Sequence, residues 1–315
     1  MQMNKMANKI KQYPLEKSPL YELSNKRKLE NMIGIEKYSL DKVSRHITYN
    51  SFEIAKKGGG ARLVTAPNTY LKRIQRSVYN LMSRIEKPDW LISGSKGKCY
   101  IDNARYHQKN QSQYALTLDI KDFYPNCTRK YVFSFFSKTM KMSNDLAGTL
   151  AGILTFASSI PVGSPTSQLL AYFAYRNMFE ELHSSAFDFG CIFTVYVDDL
   201  AFSSKVPFNN KSLISNVDFI LKKYGHGMKR KKKRYYPRNK SKLFTGAVLD
   251  VDNQVRVPNN LHLKIKNDRE QLNSIDAMTQ TEKDEFKKRL QGRIISARNI
   301  DNSEYVELIK AVRAI

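Results

Sequence analysis

The segment that most constrains this chain is Phe193-Thr194-Val195-Tyr196-Val197-Asp198-Asp199-Leu200-Ala201-Phe202. Two adjacent carboxylates stand between two β-prone apolar runs. The pattern reads as a β-hairpin with Asp-Asp at its turn, because Asp tolerates the left-handed dihedrals of a tight turn. Carboxylates at a strand tip do little for stability, but they suit a divalent cation. Mg²⁺ takes hard oxygen ligands, usually one or two carboxylates together with substrate phosphates. Asp-Asp alone reads more simply as a solvated surface turn. A second segment changes the balance. Tyr114-Ala115-Leu116-Thr117-Leu118-Asp119-Ile120-Lys121-Asp122-Phe123-Tyr124-Pro125 is a strand-like alternation that runs into Asp119. Three carboxylates brought to one point repel each other unless cations are bound. The economical reading is a two-metal site for phosphoryl or nucleotidyl transfer, with Asp119, Asp198 and Asp199 as its acids.

Charge supports a polyanionic partner. Lys and Arg number 53 against 29 Asp and Glu, a formal net charge of +24. Such an excess costs self-repulsion unless nucleic acid offsets it. An anionic membrane surface is the competing partner, but no basic amphipathic helix with a long apolar face supports it. The stretch from about Leu146 to Val162 is broken by Ser158, Ser159 and Pro161 and is too short to span a bilayer. Cys99, Cys127 and Cys191 are isolated, and the five histidines lack metal-ligand spacing. Without an apolar signal core at Met1-Gln2-Met3-Asn4-Lys5, a cytoplasmic location is expected.

Residues 15–50 read as polar helix. Ser51 to Pro67 reads as a hairpin around Gly58-Gly59-Gly60, flanked by Lys56, Lys57 and Arg62. Such a turn either folds over a triphosphate or is a plain exposed hairpin. Leu71, Ile74, Val78, Leu81, Met82 and Ile85 follow helical spacing, with Lys72, Arg73, Arg76 and Arg84 on the outer face. Helices are expected at about 128–141, 144–157 and from Thr166 or Ser167 to Leu182, the last entered by Ile160-Pro161-Val162-Gly163-Ser164-Pro165. A helix over 210–224 ends at Gly225. From Lys222 to Lys242 the chain is basic, with Lys231, Lys233 and Arg234 beside Tyr235 and Tyr236. That mixture favours nucleic acid, cations on phosphates and rings on bases, over a solvated loop. A strand pair joined near Asp252-Asn253 and helices at about 281–298 and 302–314 complete the chain.

The order of Asp119 strand, proline-glycine loop with its helix, and Tyr196-Val197-Asp198-Asp199 resembles the palm of reverse transcriptases over roughly residues 50–315. Asn103-Ala104-Arg105-Tyr106-His107 and Phe244-Thr245-Gly246 resemble two elements of the bacterial retron enzymes. Departures are Val162 and Gln168 in the loop, Val197 before the Asp pair, and Met228-Lys229-Arg230-Lys231-Lys232 where that family has Leu-Asn-x-x-Lys. The resemblance implies an α+β right-hand polymerase: fingers, a palm with a ferredoxin-like antiparallel sheet plus helices, and a small helical thumb. The expected divisions are an N-terminal helical extension (1–50), fingers (51–113), palm (114–249, with a fingers insertion at about 128–165) and thumb (250–315).

It further implies two Mg²⁺ ions held by Asp119, the Ile120 carbonyl, Asp198 and Asp199. Arg62, Lys56, Gly163 and Lys232 would meet the nucleotide, and Tyr124 would exclude its 2′-hydroxyl, ordinary core packing being the alternative for Tyr124. Asn103, His107, Lys72, Arg76, Lys231, Lys233, Arg234, Tyr235, Thr245, Gly246, Arg289 and Arg293 would contact RNA or DNA. The implied partners are dNTPs, a structured noncoding RNA (msr-msd) and its cDNA, and a separate defence effector protein. The implied product is branched multicopy single-stranded DNA primed at an internal guanosine 2′-hydroxyl. The alternatives are a group II intron-like or diversity-generating reverse transcriptase, or a non-catalytic RNA-binding protein on the same scaffold.

Overall fold

A computed structural model of the protein describes residues 12–35, 40–43, 48–55, 60–272, 275, 278–302 and 305–308. The first described elements are a 3₁₀ turn at Leu15–Lys17, then α1 (Lys26–Ile33) and α2 (Leu40–Val43). The Asn25 side chain accepts the Lys28 N–H at the start of α1, and Gly34 ends it at φ +74°. β1 (Tyr49–Ala55) and β2 (Ala61–Pro67) form the expected hairpin, in register from Tyr49↔Pro67 to Ala55↔Ala61. Lys56 to Gly59, the expected cationic glycine turn, lie outside the described residues. Next come α3 (Thr69–Ser83), α4 (Tyr100–Lys109), β3 (Tyr114–Lys121) and α5 (Phe123–Asn126). α6 (Arg129–Ser134) runs into a π-helical turn at Phe135–Thr139, and α7 (Asn144–Leu154) follows.

The single helix expected up to Leu182 is two. α8 (Ser167–Ala174) stops at Tyr175, whose φ −113° and ψ 23° leave helical geometry, and α9 (Arg176–Asp188) begins after it. β4 (Ile192–Tyr196), β5 (Asp199–Ser204) and α10 (Asn210–Lys223) match the expected order. The basic stretch is ordered as β6 (Gly227–Met228), a 3₁₀ turn at Arg230–Lys232, and β7 (Arg234–Tyr236). The expected strand pair is a three-stranded sheet of β8 (Lys242–Phe244), β9 (Ala247–Leu249) and β10 (Val255–Arg256). The additional turn is Thr245-Gly246, where both residues hold positive φ, the pairing a type I′ hairpin turn requires. α11 (Asn259–Gln271) and α12 (Gln280–Ile300) close the described chain, α12 starting with a Thr279/Glu282 capping box. Of the final helix expected over 302–314, residues 306–308 are helical, and 303, 304 and 309–315 lie outside the described residues.

The chain divides into two compact units, cut at different places from the four expected segments. The first comprises 1–97, 120–184 and 215–228. In it α3 buries Leu71, Ile74, Gln75, Val78 and Met82 and packs against α1, α7 and α8. The described residues of the N-terminal segment belong to this unit. Tyr13 N–H donates to the Arg84 carbonyl, Glu22 N–H donates to the Met140 carbonyl, and Leu20, Leu29 and Ile33 are buried.

The second unit comprises 98–119, 185–214 and 229–315. There β3 pairs with β5 on one side and with β7 on the other, and β4 pairs with β5, all antiparallel. α4 packs against β4 and the β8–β10 sheet, and α11 packs on α12. Ile101, Phe244, Leu249, Ile265, Phe286, Leu290 and Ile294 belong to one buried cluster there. No described helix is long and apolar enough to cross a membrane.

Candidate active site

The sheet register brings the acids together. In the β3–β5 ladder Asp119 is the direct partner of Asp199, so two carboxylates face each other across neighbouring strands on one side of the sheet. Asp198 belongs to the turn beside them. The turn is Val197-Asp198 and not Asp-Asp, because Asp199 is already in β5, paired with Tyr196. The left-handed dihedral falls on Val197, at φ +61°. A β-branched residue avoids that region, so the turn is imposed by the ladders on both sides of it.

Like charges opposite each other in a sheet are destabilising, and here burial adds to the repulsion at Asp199. Burial, then the charges of Asp198 and Asp119, push its carboxyl up to about 6, against the pull of Lys232 and a hydrogen bond from the Thr245 hydroxyl. Asp119 is 4% exposed, and Lys232 Nζ ion-pairs with its Oδ2. Burial opposes the Lys232 charge, but the hydrogen bond to Asp119 and the three carboxylates together raise its pKa. This donor set fits a hard divalent cation. Its oxygens are carboxylate oxygens, they repel one another, and one ammonium partly neutralises them. Among the described residues no three His, Cys, Asp or Glu side chains are grouped so that they could hold a metal ion by themselves. Carboxylates that share a cation with substrate phosphates do not require such a group.

The other expected residues divide between the units. In the first, Arg62 lies in β2 opposite Ile54, and Lys72 and Arg76 are exposed on α3. Ile120, next to Asp119, is buried and pairs with Met228. Tyr124 is half-buried in α5, beside Phe123. That short helix is held from behind by Tyr175, whose hydroxyl donates to the Asn126 carbonyl and accepts the Thr128 N–H. Gly163 N–H donates to the Thr65 carbonyl at 3.1 Å, and a Cβ on Gly163 would stand 2.7 Å from that oxygen. The glycine is there because two backbones touch.

In the second unit Lys231, Lys233 and Arg234 are exposed, and Tyr235 packs edge-on to Phe208. Thr245 and Gly246 form the β8–β9 turn, with Gly246 against the Tyr100 ring. Two expectations of nucleic-acid contact meet a different placement. Asn103 and His107 are fully buried. Asn103 bonds Thr245 and Thr194, and His107 bonds Thr194 and Ser203, so neither side chain faces a ligand. Arg289 and Arg293 are both engaged by Asp268, which is 3% exposed, and a carboxylate so buried has to be paired. Their guanidiniums join α12 to α11 through Asp268, and Arg289 remains exposed.

Sequence reasoning missed Gln75, Thr194, Ser203 and Asp268. Only Gln75 left a signal. It falls in the apolar stripe Leu71, Ile74, Val78, Met82 and is fully buried, bonded to the Ile153 carbonyl, Tyr49 and Ser164. Thr194 and Ser203 read as ordinary strand residues.

Antiparallel strands that pair Asp119 with Asp199, interleaved with helices, make this an α+β right-hand polymerase fold. A family described as Reverse transcriptase (RNA-dependent DNA polymerase) matches residues 54–249, and the chain belongs to it. Among curated proteins it is 28% identical to the Retron Se72 reverse transcriptase of Salmonella heidelberg, over 64% of this chain and 52% of that protein. It is 26% identical to the Retron Ec73 reverse transcriptase of Escherichia coli, over 82% of this chain and 84% of that protein. The chain thus spans about half the length of the first relative and most of the second. Among solved structures, telomerase from Candida albicans, in complex with a telomeric RNA fragment, superposes with a TM-score of 0.49 at 10% identity, covering 74% of this chain and 49% of that one.

Proposed function

We propose that this protein is the RNA-directed DNA polymerase of a retron, copying part of a structured noncoding RNA into single-stranded DNA. The observation that carries the reading is the cross-strand pairing of Asp119 with Asp199, with Asp198 in the adjoining turn and Lys232 on Asp119. Two Mg²⁺ ions, held by Asp119, Asp198, Asp199 and the Ile120 carbonyl, would activate the primer hydroxyl and neutralise the triphosphate and departing pyrophosphate. Lys232 balances the buried Asp119 charge and has a flexible stem with which to reach an incoming phosphate. Arg62 and Lys56 would clamp the triphosphate, and Gly163 lets its loop lie flat on β2 in the same unit. Tyr124, held on its braced turn, would exclude ribonucleotides. The exposed cations Lys72, Arg76, Lys231, Lys233 and Arg234, with Tyr235 and the Thr245-Gly246 turn, would carry template and primer.

The similarity to retron reverse transcriptases supports a retron enzyme. The finer reading goes with that resemblance: priming from an internal guanosine 2′-hydroxyl, a branched RNA–DNA product, and an anti-phage role with a separate effector in the cytoplasm. Two assays test it. Wild-type protein with Mg²⁺ and poly(rA)·oligo(dT) should extend the primer, and Asp198→Asn should lose at least about a hundredfold in rate. Full extension by Asp198→Asn would sink the site. Protein expressed with its native flanking DNA should carry a discrete DNA whose mobility shifts after RNase; RNA alone would point to another reverse transcriptase lineage.

A further inference from the structure

The turn that carries Tyr124 cannot hold its shape alone. α5 is a single turn of four residues, Phe123-Tyr124-Pro125-Asn126, entered through Asp122 at φ +46° and ψ 49° with no side-chain cap. One turn is below the length at which a helix sustains itself, and Pro125 has no N–H to give. The Asn126 N–H donates to the Asp122 carbonyl at 3.1 Å, Asn126 Nδ2 to the Lys121 carbonyl at 3.1 Å, and the Cys127 N–H to the Tyr124 carbonyl at 3.0 Å. Tyr175 closes the turn from outside. Its hydroxyl donates to the Asn126 carbonyl at 2.9 Å and accepts the Thr128 N–H at 3.0 Å, so one oxygen clamps the backbone on both sides of Cys127. The Tyr175 ring supports the other end of the turn. It packs edge-on to His226 at 4.6 Å, and His226 lies against Phe123 at 5.3 Å. Tyr175 itself is 1% exposed and stacks on Tyr131 at 4.4 Å, so its position is fixed and the clamp is shielded from water.

We propose that the Tyr175 hydroxyl is a positioning group for sugar specificity: by clamping the turn it holds the Tyr124 ring against a 2′-hydroxyl, and so sets how strictly ribonucleotides are refused. The inference rests on the polymerase reading above and on the part it gives Tyr124. Repulsion between a ring and a hydroxyl is steep, so exclusion needs the ring held to within about 0.5 Å. Without the oxygen, the Asn126 carbonyl and the Thr128 N–H lose their shared partner, and the turn is free to tilt the ring away. Packing alone would not call for a hydroxyl, since phenylalanine fills the same space. Both hydrogen bonds of this one go to the segment that carries Tyr124. The interruption between α8 and α9 also falls on Tyr175, the residue that reaches α5.

The test uses the full chain with poly(rA)·oligo(dT) and compares kcat/KM for dTTP with that for ribothymidine triphosphate, which adds only the 2′-hydroxyl. Tyr175→Phe keeps the ring and removes the oxygen. The expected result is a preference for dTTP at least about tenfold smaller, because ribothymidine triphosphate is used better. In a Tyr124→Ala background, where the preference is already reduced, Tyr175→Phe should lower it no further. A folded Tyr175→Phe with an unchanged preference overturns the proposal. Equal losses with both substrates overturn it in favour of a purely structural brace. Full additivity with Tyr124→Ala overturns it in favour of a route that bypasses Tyr124. If Tyr175→Phe does not fold, Thr128→Pro decides by the same outcomes: it removes the N–H that the hydroxyl accepts, and φ −80° suits proline. Tyr124→Ala with the full preference refutes the gate itself, and a wild-type protein that extends no primer refutes the polymerase reading, each a different failure.

Discussion

His226 carries a burial cost with nothing in the described structure to offset it. It is 4% exposed, lies among the rings of Phe123 and Tyr175, and has no hydrogen-bond partner for either nitrogen among the described residues. Burial brings its pKa down to about 4. The unfolded chain takes up this proton near pH 6.5, whereas the folded one resists until about 4. Its contribution to stability is therefore complete above pH 6.5 and is lost as the pH falls through that window. Asp199, raised to about 6, works in the opposite sense between about 6 and 4, so the useful quantity is a difference between proteins. Changing His226→Leu should leave the melting temperature at pH 7 equal or higher and reduce its fall between pH 7 and 4.5. An unchanged acid sensitivity would show that His226 is not the responsible group. The acids themselves were legible in the sequence because carboxylates at strand ends are chemically conspicuous. The phase of the turn was not. Pairing Asp199 with both Asp119 and Tyr196 leaves only Val197 and Asp198 to turn, and propensity alone would never assign a left-handed residue to valine.

Elements were readable where their pattern was local. The β1–β2 hairpin, α3, α10 and the β4–β5 hairpin lie close to where apolar spacing placed them, since each is a periodic run bounded by turn residues. What failed was anything settled by a distant partner. The basic stretch after Gly225 has no strand periodicity of its own, yet β6 and β7 are ordered there because β3 offers them free ladder positions. The pairing of Arg289 and Arg293 with Asp268, some twenty residues earlier, likewise leaves no local trace. The loop from Pro161 to Thr166 is the clearest case. Ser164 donates to buried Gln75, and Gly163 lies so near the Thr65 carbonyl that no side chain fits. Gly163→Ala should therefore cost roughly 1–3 kcal/mol, measured by urea unfolding, as β2 and the loop are forced apart. An alanine variant as stable as the parent would mean that the two backbones separate easily.

At the scale of the whole molecule, the +24 charge makes the RNA affinity of the proposed function salt-limited. With about five phosphate contacts on a single strand, binding should weaken roughly a hundredfold or more between 50 and 200 mM salt. A flat salt response would show that the cations are not on phosphates. The two compact units have a further consequence, one of timing. Each is assembled from three stretches of chain, and the unit that holds the carboxylates takes its last stretch from residue 229 onward. Lys232 on Asp119, β7 beside β3, and Thr245 on Asn103 all come from that stretch. On the ribosome the acids of β3 and of the hairpin are made first and must wait for it. A nascent chain halted before residue 229 carries all three aspartates and their β3–β5 pairing but neither Lys232 nor β7, so the carboxylate site stays incomplete until that last stretch is made.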